Sequence, residues 1–136
     1  MNYLLDTCVI SELTSKHPEQ KVVEWIDQVS DERLFLSVIT VGEIQRGIAK
    51  LPESRRRQEL ERWLKESLFL RFHDRILPLT MEVMLSWGTL TAQGRTRPAI
   101  DSMIAAVALH YDLCLVTRNV KDFDGIDVKL WNPWTA

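Results

Sequence analysis

Four short apolar runs, NYLLD (2–6), RLFLS (33–37), LCLVT (113–117) and DVKLW (127–131), are separated by longer stretches with apolar residues at helical spacing. Runs of that length and composition read as buried strands. Between the first two, PEQKVVEWIDQVS (18–30) sets Val22, Val23, Trp25, Ile26 and Val29 on one side behind Pro18, an amphipathic helix. A second helix is predicted from Thr40 to about Lys50, and Pro52 opens a third, PESRRRQELERWLKESLFLRF (52–72), with Leu60, Trp63, Leu64, Ser67 and Leu68 on one face. LTMEVMLSWGTLTAQG (79–94) and AIDSMIAAVALH (99–110) complete the set, the last with Ile100, Ile104 and Val107 in an apolar stripe. Strands alternating with helices predict an α/β fold, three layers α/β/α around a central, mainly parallel sheet. The 136 residues suit a single domain, 1–136, that buries about two-thirds of its unfolded surface.

The net charge of −2 exerts no global pull on nucleic acid, so any polyanion must be met by local positive charge or a bound cation. Cys8 and Cys114 lie far apart in apolar surroundings with no zinc-ligand spacing, and read as small buried hydrophobes in a reducing compartment. The N-terminus MNYLLDTC lacks a basic region and meets Asp6, unlike a signal peptide. No apolar run approaches the ~18 residues of a membrane span. The expectation is a cytoplasmic protein.

Crossover helices run antiparallel to parallel strands, so their N-termini return to the edge where the strands end. That edge is where open α/β sheets bind ligands. Asp6 ends the first predicted strand; Glu43 and Asp101 lie in the first turns of predicted helices. Asn119 follows LCLVT closely, with Asp122 and Asp124 behind it. Oxygen ligands from four segments converging on one edge suit Mg²⁺ or Mn²⁺. Each has a plainer reading. Asp6 could be a turn or cap acid, and Glu43 completes a T-x-x-E capping box with Thr40. Asp101 could complement a helix N-terminus, although its azimuth, shared with Ile104 and Ala105, turns it inward.

YLLDTCVISEL, LSVITVGEIQRGI, AIDSMIAAVALHYDLCLVTRNVKDF and the closing LWNPW together resemble the PIN-domain nucleases, most closely the VapC-type toxins of bacterial toxin–antitoxin pairs and their FitB-like relatives. The likeness runs through nearly the whole chain in the family's order. It implies a PIN-like fold that binds Mg²⁺, with Mn²⁺ substituting, and acts as an endoribonuclease. By position it implies Asp6 and Asp101 as direct metal ligands and Glu43 as an acid orienting a metal-bound water. The fourth acidic position falls on Asn119 or Asp122, with Asp124 a further alternative. Thr7 and Thr117 match supporting hydroxyl positions. In-line hydrolysis would leave 5′-phosphate and 3′-hydroxyl ends. The resemblance also implies a homodimer and a VapB-type antitoxin that blocks the acidic pocket.

Arg95, Arg97 and Arg118 flank the acids and are candidate phosphate contacts. Arg55–Arg57 sit beside Glu59 and Glu61 and read as a solvated helix face. Trp25, Trp63 and Trp87 lie on apolar helix faces, while Trp131 and Trp134 anchor the tail. Two other readings fit an α/β chain: a catalytically silent binding module whose acids are only caps, and a receiver-type phosphoacceptor domain. The second needs paired acids after the first strand, where this chain has Asp6 alone. EDTA-sensitive RNA cleavage separates the nuclease from both.

Overall fold

Strand β1 (Tyr3–Leu5) is the middle of a five-stranded sheet in a computed structural model that describes all 136 residues. The chain continues through α1 (Thr7–Leu13), α2 (Gln20–Gln28), β2 (Leu34–Ser37) and α3 (Val38–Ala49). Next come α4 (Arg55–Trp63), a π-helical segment (Leu64–Leu68), α5 (Phe69–Arg71), β3 (Ile76–Leu77) and α6 (Met81–Thr91). The last part holds α7 (Ala99–His110), β4 (Cys114–Val116), a 3₁₀ turn (Val120–Phe123) and β5 (Leu130–Trp131).

The strand order is β3-β2-β1-β4-β5, and every neighbouring pair is parallel. Alternation along the strands splits the core in two. Leu5, Leu34, Leu36 and Val116 pack on one face against Val9, Ile10, Val22, Ile26 and Ile48 of α1–α3. Leu4 and Leu115 pack on the other against Val83 of α6 and the Ile104–Ala108 run of α7. Register enforces this sorting, because Leu4 pairs with Leu115 and Leu5 with Val116. The result is the three-layer α/β/α arrangement, with both sheet faces covered as a parallel sheet requires.

Order reverses at β1. From it the chain builds outward through β2 and β3, then crosses to β4 and β5 on the other side. A crevice therefore opens between the C-terminal ends of β1 and β4, the point where such sheets bind ligands.

Several expectations need correction. The helix expected from Thr40 begins at Val38, because the Ser37 hydroxyl takes the N-cap and accepts from the Thr40 N–H at 3.3 Å. Glu43 therefore sits within α3, and the capping box with Thr40 does not form. The 52–72 helix is broken by the π segment, whose extra residue per turn rotates Ser67 to the surface while Leu64 and Leu68 stay buried. Ile100 is exposed, so the stripe of α7 begins at Ile104. DVKLW supplies only a two-residue strand, and α1 and β3 were not expected at all. Cys114 is buried as expected, but Cys8 only partly. Arg55 and Arg57 pair with Glu59 and Glu61 at i,i+4, which makes that run the solvated face it resembled. No helix is long and apolar enough to cross a membrane.

Candidate metal centre at the switch point

Asp6 closes β1 and caps α1. Its Oδ1 accepts from the Thr7 backbone N–H at 2.8 Å, and its Oδ2 accepts from the Thr117 hydroxyl at 2.8 Å. Thr117 follows β4, so this second bond spans the crevice. Both partners are buried, Asp6 at 6% exposure and Thr117 at 0%. The Asn119 N–H donates to Thr117 Oγ1 at 3.0 Å, which leaves the hydroxyl proton for Asp6. Asp6 is thus a cap, as its plainer reading held, and also one side of a fixed bridge.

Glu43 comes in from α3. Its Oε1 accepts from the Thr7 hydroxyl at 2.5 Å, and Thr40 Oγ1 lies 3.1 Å from the same hydroxyl. The first residue of α1, Thr7, therefore holds two acids, Asp6 through its backbone N–H and Glu43 through its hydroxyl. Asp101 enters from the first turn of α7 and is half-buried. No donor reaches its carboxylate. Asp122, on the 3₁₀ turn, is exposed, yet its charge is felt at Asp101.

These acids have no cationic counterpart, since every ion pair of the chain lies elsewhere. The consequence falls on Asp6 and Asp101. Burial pushes the Asp6 carboxyl above its usual range, the Glu43 charge adds to this, and the bonds from Thr117 and the Thr7 N–H act against it. Asp101 is raised by burial and then by the charges of Asp6, Asp122 and Glu43. A bound cation relieves this repulsion at its source.

No three Asp, Glu, His or Cys side chains stand close enough to enclose an ion by themselves. The expected convergence is therefore an open constellation rather than a closed cage. Mg²⁺ fits such a place, because it keeps several waters and takes only one or two carboxylates directly. The donor chemistry agrees. Cys8 Sγ lies 3.9 Å from Asp6 Oδ2, but burial and the Asp6 charge push its thiol up, so it stays protonated and the available ligands are hard oxygens.

The remaining candidates divide. Asn119 is exposed and contributes its backbone N–H, and no side-chain bond is formed by it. Asp124 offers its carbonyl to Arg97 and exerts no resolved influence on Asp101, so Asp122 is the better placed of the two acids. The Arg97 guanidinium is engaged by the carbonyls of Asp122 (3.3 Å) and Asp124 (2.5 Å), tying the loop before α7 to the 3₁₀ turn. Arg95 is exposed, and the Arg118 guanidinium lies over the Trp134 ring. Thr40 and the Asn119 N–H were missed from sequence. From sequence Thr40 reads as a cap, and a backbone donor leaves no mark in composition.

The profile of the family described as PIN domain matches residues 3–129. The chain belongs to the PIN-domain family. This PIN domain is 36% identical over 135 residues to toxin FitB of Neisseria gonorrhoeae, covering 96% of this chain and 97% of that protein. It is 34% identical over 135 residues to VapC ribonuclease Y4jK of Sinorhizobium fredii, covering 96% of each. Among solved structures, FitAB bound to an IR36 DNA fragment superposes with a TM-score of 0.92 at 34% identity, over 97% of this chain and 95% of that one. The PIN domain here thus resembles those proteins along nearly its whole length.

Proposed function

We propose that this PIN domain is a divalent-metal-dependent endoribonuclease and the toxin of a toxin–antitoxin pair. The observation that carries the reading is the set of four uncompensated acids, Asp6, Glu43, Asp101 and Asp122, gathered at the switch-point crevice. Likeness to a protein named VapC ribonuclease and one named toxin FitB supports the same chemistry and role.

Asp6 and Asp101 would hold Mg²⁺ or Mn²⁺, with Asp122 or Asn119 completing the edge. When bound, the cation lowers the pKa of water and polarises a phosphoryl oxygen. The chain does the rest. Thr117 fixes Asp6 in one orientation, and the Asn119 N–H fixes Thr117. Thr7 occupies Glu43 Oε1 and leaves Oε2 free to accept the proton of the attacking water. In-line attack with departure of the 3′ oxygen leaves 5′-phosphate and 3′-hydroxyl ends.

Two surfaces suit the partners of such a toxin. A groove of about 160 Å³ between α1, α3 and α4, lined by Ile10, Ile44, Leu60 and Trp63, opens on Glu43. An antitoxin segment seated there reaches the acids, and the FitAB complex is a precedent for such an assembly. Met81, Leu85 and Leu109 form an exposed apolar patch on α6 and α7 suited to a second copy of the chain. The test is incubation of the pure chain with single-stranded RNA and Mg²⁺. Cleavage that stops with EDTA and with Asp101→Asn supports the reading; metal-independent cleavage, or none under any metal, overturns it.

A further inference from the structure

We infer that Arg118, held in place by Trp134, forms a phosphate-binding subsite beside the acids, with Trp134 as its positioning residue. The inference rests on the nuclease reading, since it names where the RNA backbone beyond the cut is gripped.

Arg118 directly follows Thr117, whose hydroxyl bonds Asp6. A flexible cation next to uncompensated carboxylates should fold onto them. Arg118 forms no ion pair, and its charge is not among the influences on Asp6 or Asp101. Its guanidinium carbon lies 5.5 Å from the centroid of the Trp134 ring, within cation–π range. That indole is itself anchored. Its Nε1–H donates to Glu12 Oε1 on α1 at 3.0 Å, its backbone N–H donates to Asn132 Oδ1 at 2.9 Å, and its ring packs on the core beneath α1. The closing tail thus holds the arginine away from the metal ligands.

Stacking uses the face of a guanidinium and leaves its in-plane N–H groups free. Arg118 is exposed and gives none of them to the protein. Arg97 has spent donors on two carbonyls, and Arg95 has no partner that fixes it. Of the three arginines near the acids, Arg118 alone is both fixed and unspent. Its planar fork suits a phosphate, and its place outside the acid cluster suits a phosphate neighbouring the one that is cut.

The test uses the full chain and a short fluorescein-labelled single-stranded RNA. Binding is followed by anisotropy in EDTA across a salt series, and cleavage is followed separately with Mg²⁺. Arg118→Met should flatten the slope of log affinity against log salt by about 0.7, the value of one single-strand phosphate contact. In cleavage its loss should fall on KM rather than kcat. Trp134→Leu should reproduce both effects, and Trp134→Phe, which keeps an aromatic face, should restore most of each. If Trp134→Leu does not fold, Arg118→Met and Trp134→Phe still decide the matter. An unchanged slope and KM in Arg118→Met overturns the inference, as does a Trp134→Leu chain that melts lower yet keeps the wild-type slope. If the wild type cleaves RNA under those outcomes, the nuclease reading survives alone. A wild type that neither binds nor cuts RNA sinks both.

Discussion

Thr117→Val isolates the bond that spans the crevice. Valine keeps the shape of threonine, so no cavity opens and only the hydroxyl is removed. Its donation to Asp6 at 2.8 Å is fully buried at one end and nearly so at the other. Hydrogen bonds to charged groups contribute about 1.5–3 kcal/mol. The Asn119 N–H loses its acceptor too, but it belongs to an exposed residue and can turn to water at little cost. The metal-free chain at pH 7 should therefore lose about 1.5–3 kcal/mol, which for this length lowers Tm by about 5–15 °C. The pH dependence has a definite sign. Asp6 titrates above its ordinary value of 3.8 in the fold, so its ionised form is the one the fold disfavours. The wild type gains stability from this group as pH falls through the raised value toward 3.8, and loses it as pH rises. Removing Thr117 pushes the carboxyl higher still. The deficit of Thr117→Val is thus largest at neutral pH and narrows on acidification. Circular dichroism melts in EDTA over a pH series provide the assay. An unchanged Tm at pH 7, or a deficit that widens toward acid, would refute the reasoning.

Three further outcomes follow from the same geometry. Asp101→Asn removes a charge that burial and three neighbouring acids disfavour, so the metal-free variant should melt higher than wild type at pH 7 and match it once both are acidified, while RNA cleavage is lost. Glu43→Gln keeps an oxygen for the Thr7 hydroxyl but cannot take a proton, so the rate should fall by about 10²–10⁴ with an unchanged circular dichroism spectrum. Gly125 has φ +85, and a Cβ there would meet Arg97 Nη2 at 2.9 Å. Gly125→Ala should therefore shift the urea midpoint downward by a stability loss of about 1–2 kcal/mol.

Much of the fold is legible in the sequence because a parallel sheet covered on both faces makes its strands nearly continuous apolar runs. YLL, LFLS and CLV are such runs, and the first three acids follow from them, since each lies just after a strand or in a helix's first turns. What the sequence hides is competition between local signals. Ser37 and Thr40 both qualify as caps for one helix, and the apolar Val38 and Ile39 turn out to lie inside it, so Ser37 prevails and Glu43 is released toward Thr7. Strand β3 has two residues just before Pro78, too few for any period. Helix α1 has a readable start in Asp6 followed by Val9, Ile10 and Leu13, but the strand signal ending at Asp6 masks it. The π segment leaves a helical pattern intact while rotating Ser67 outward. In the Arg118–Trp134–Glu12 chain the bond from Trp134 to Glu12 spans 122 positions, and no spacing rule reaches that far.

The most direct test of the acidic crevice as a metal centre is titration of the chain with Mn²⁺, reading free ion by electron paramagnetic resonance. The wild type should bind Mn²⁺ saturably, and Asp101→Asn should abolish that binding while its circular dichroism spectrum stays unchanged. Equal Mn²⁺ uptake by both proteins, or none by the wild type, would contradict the assignment.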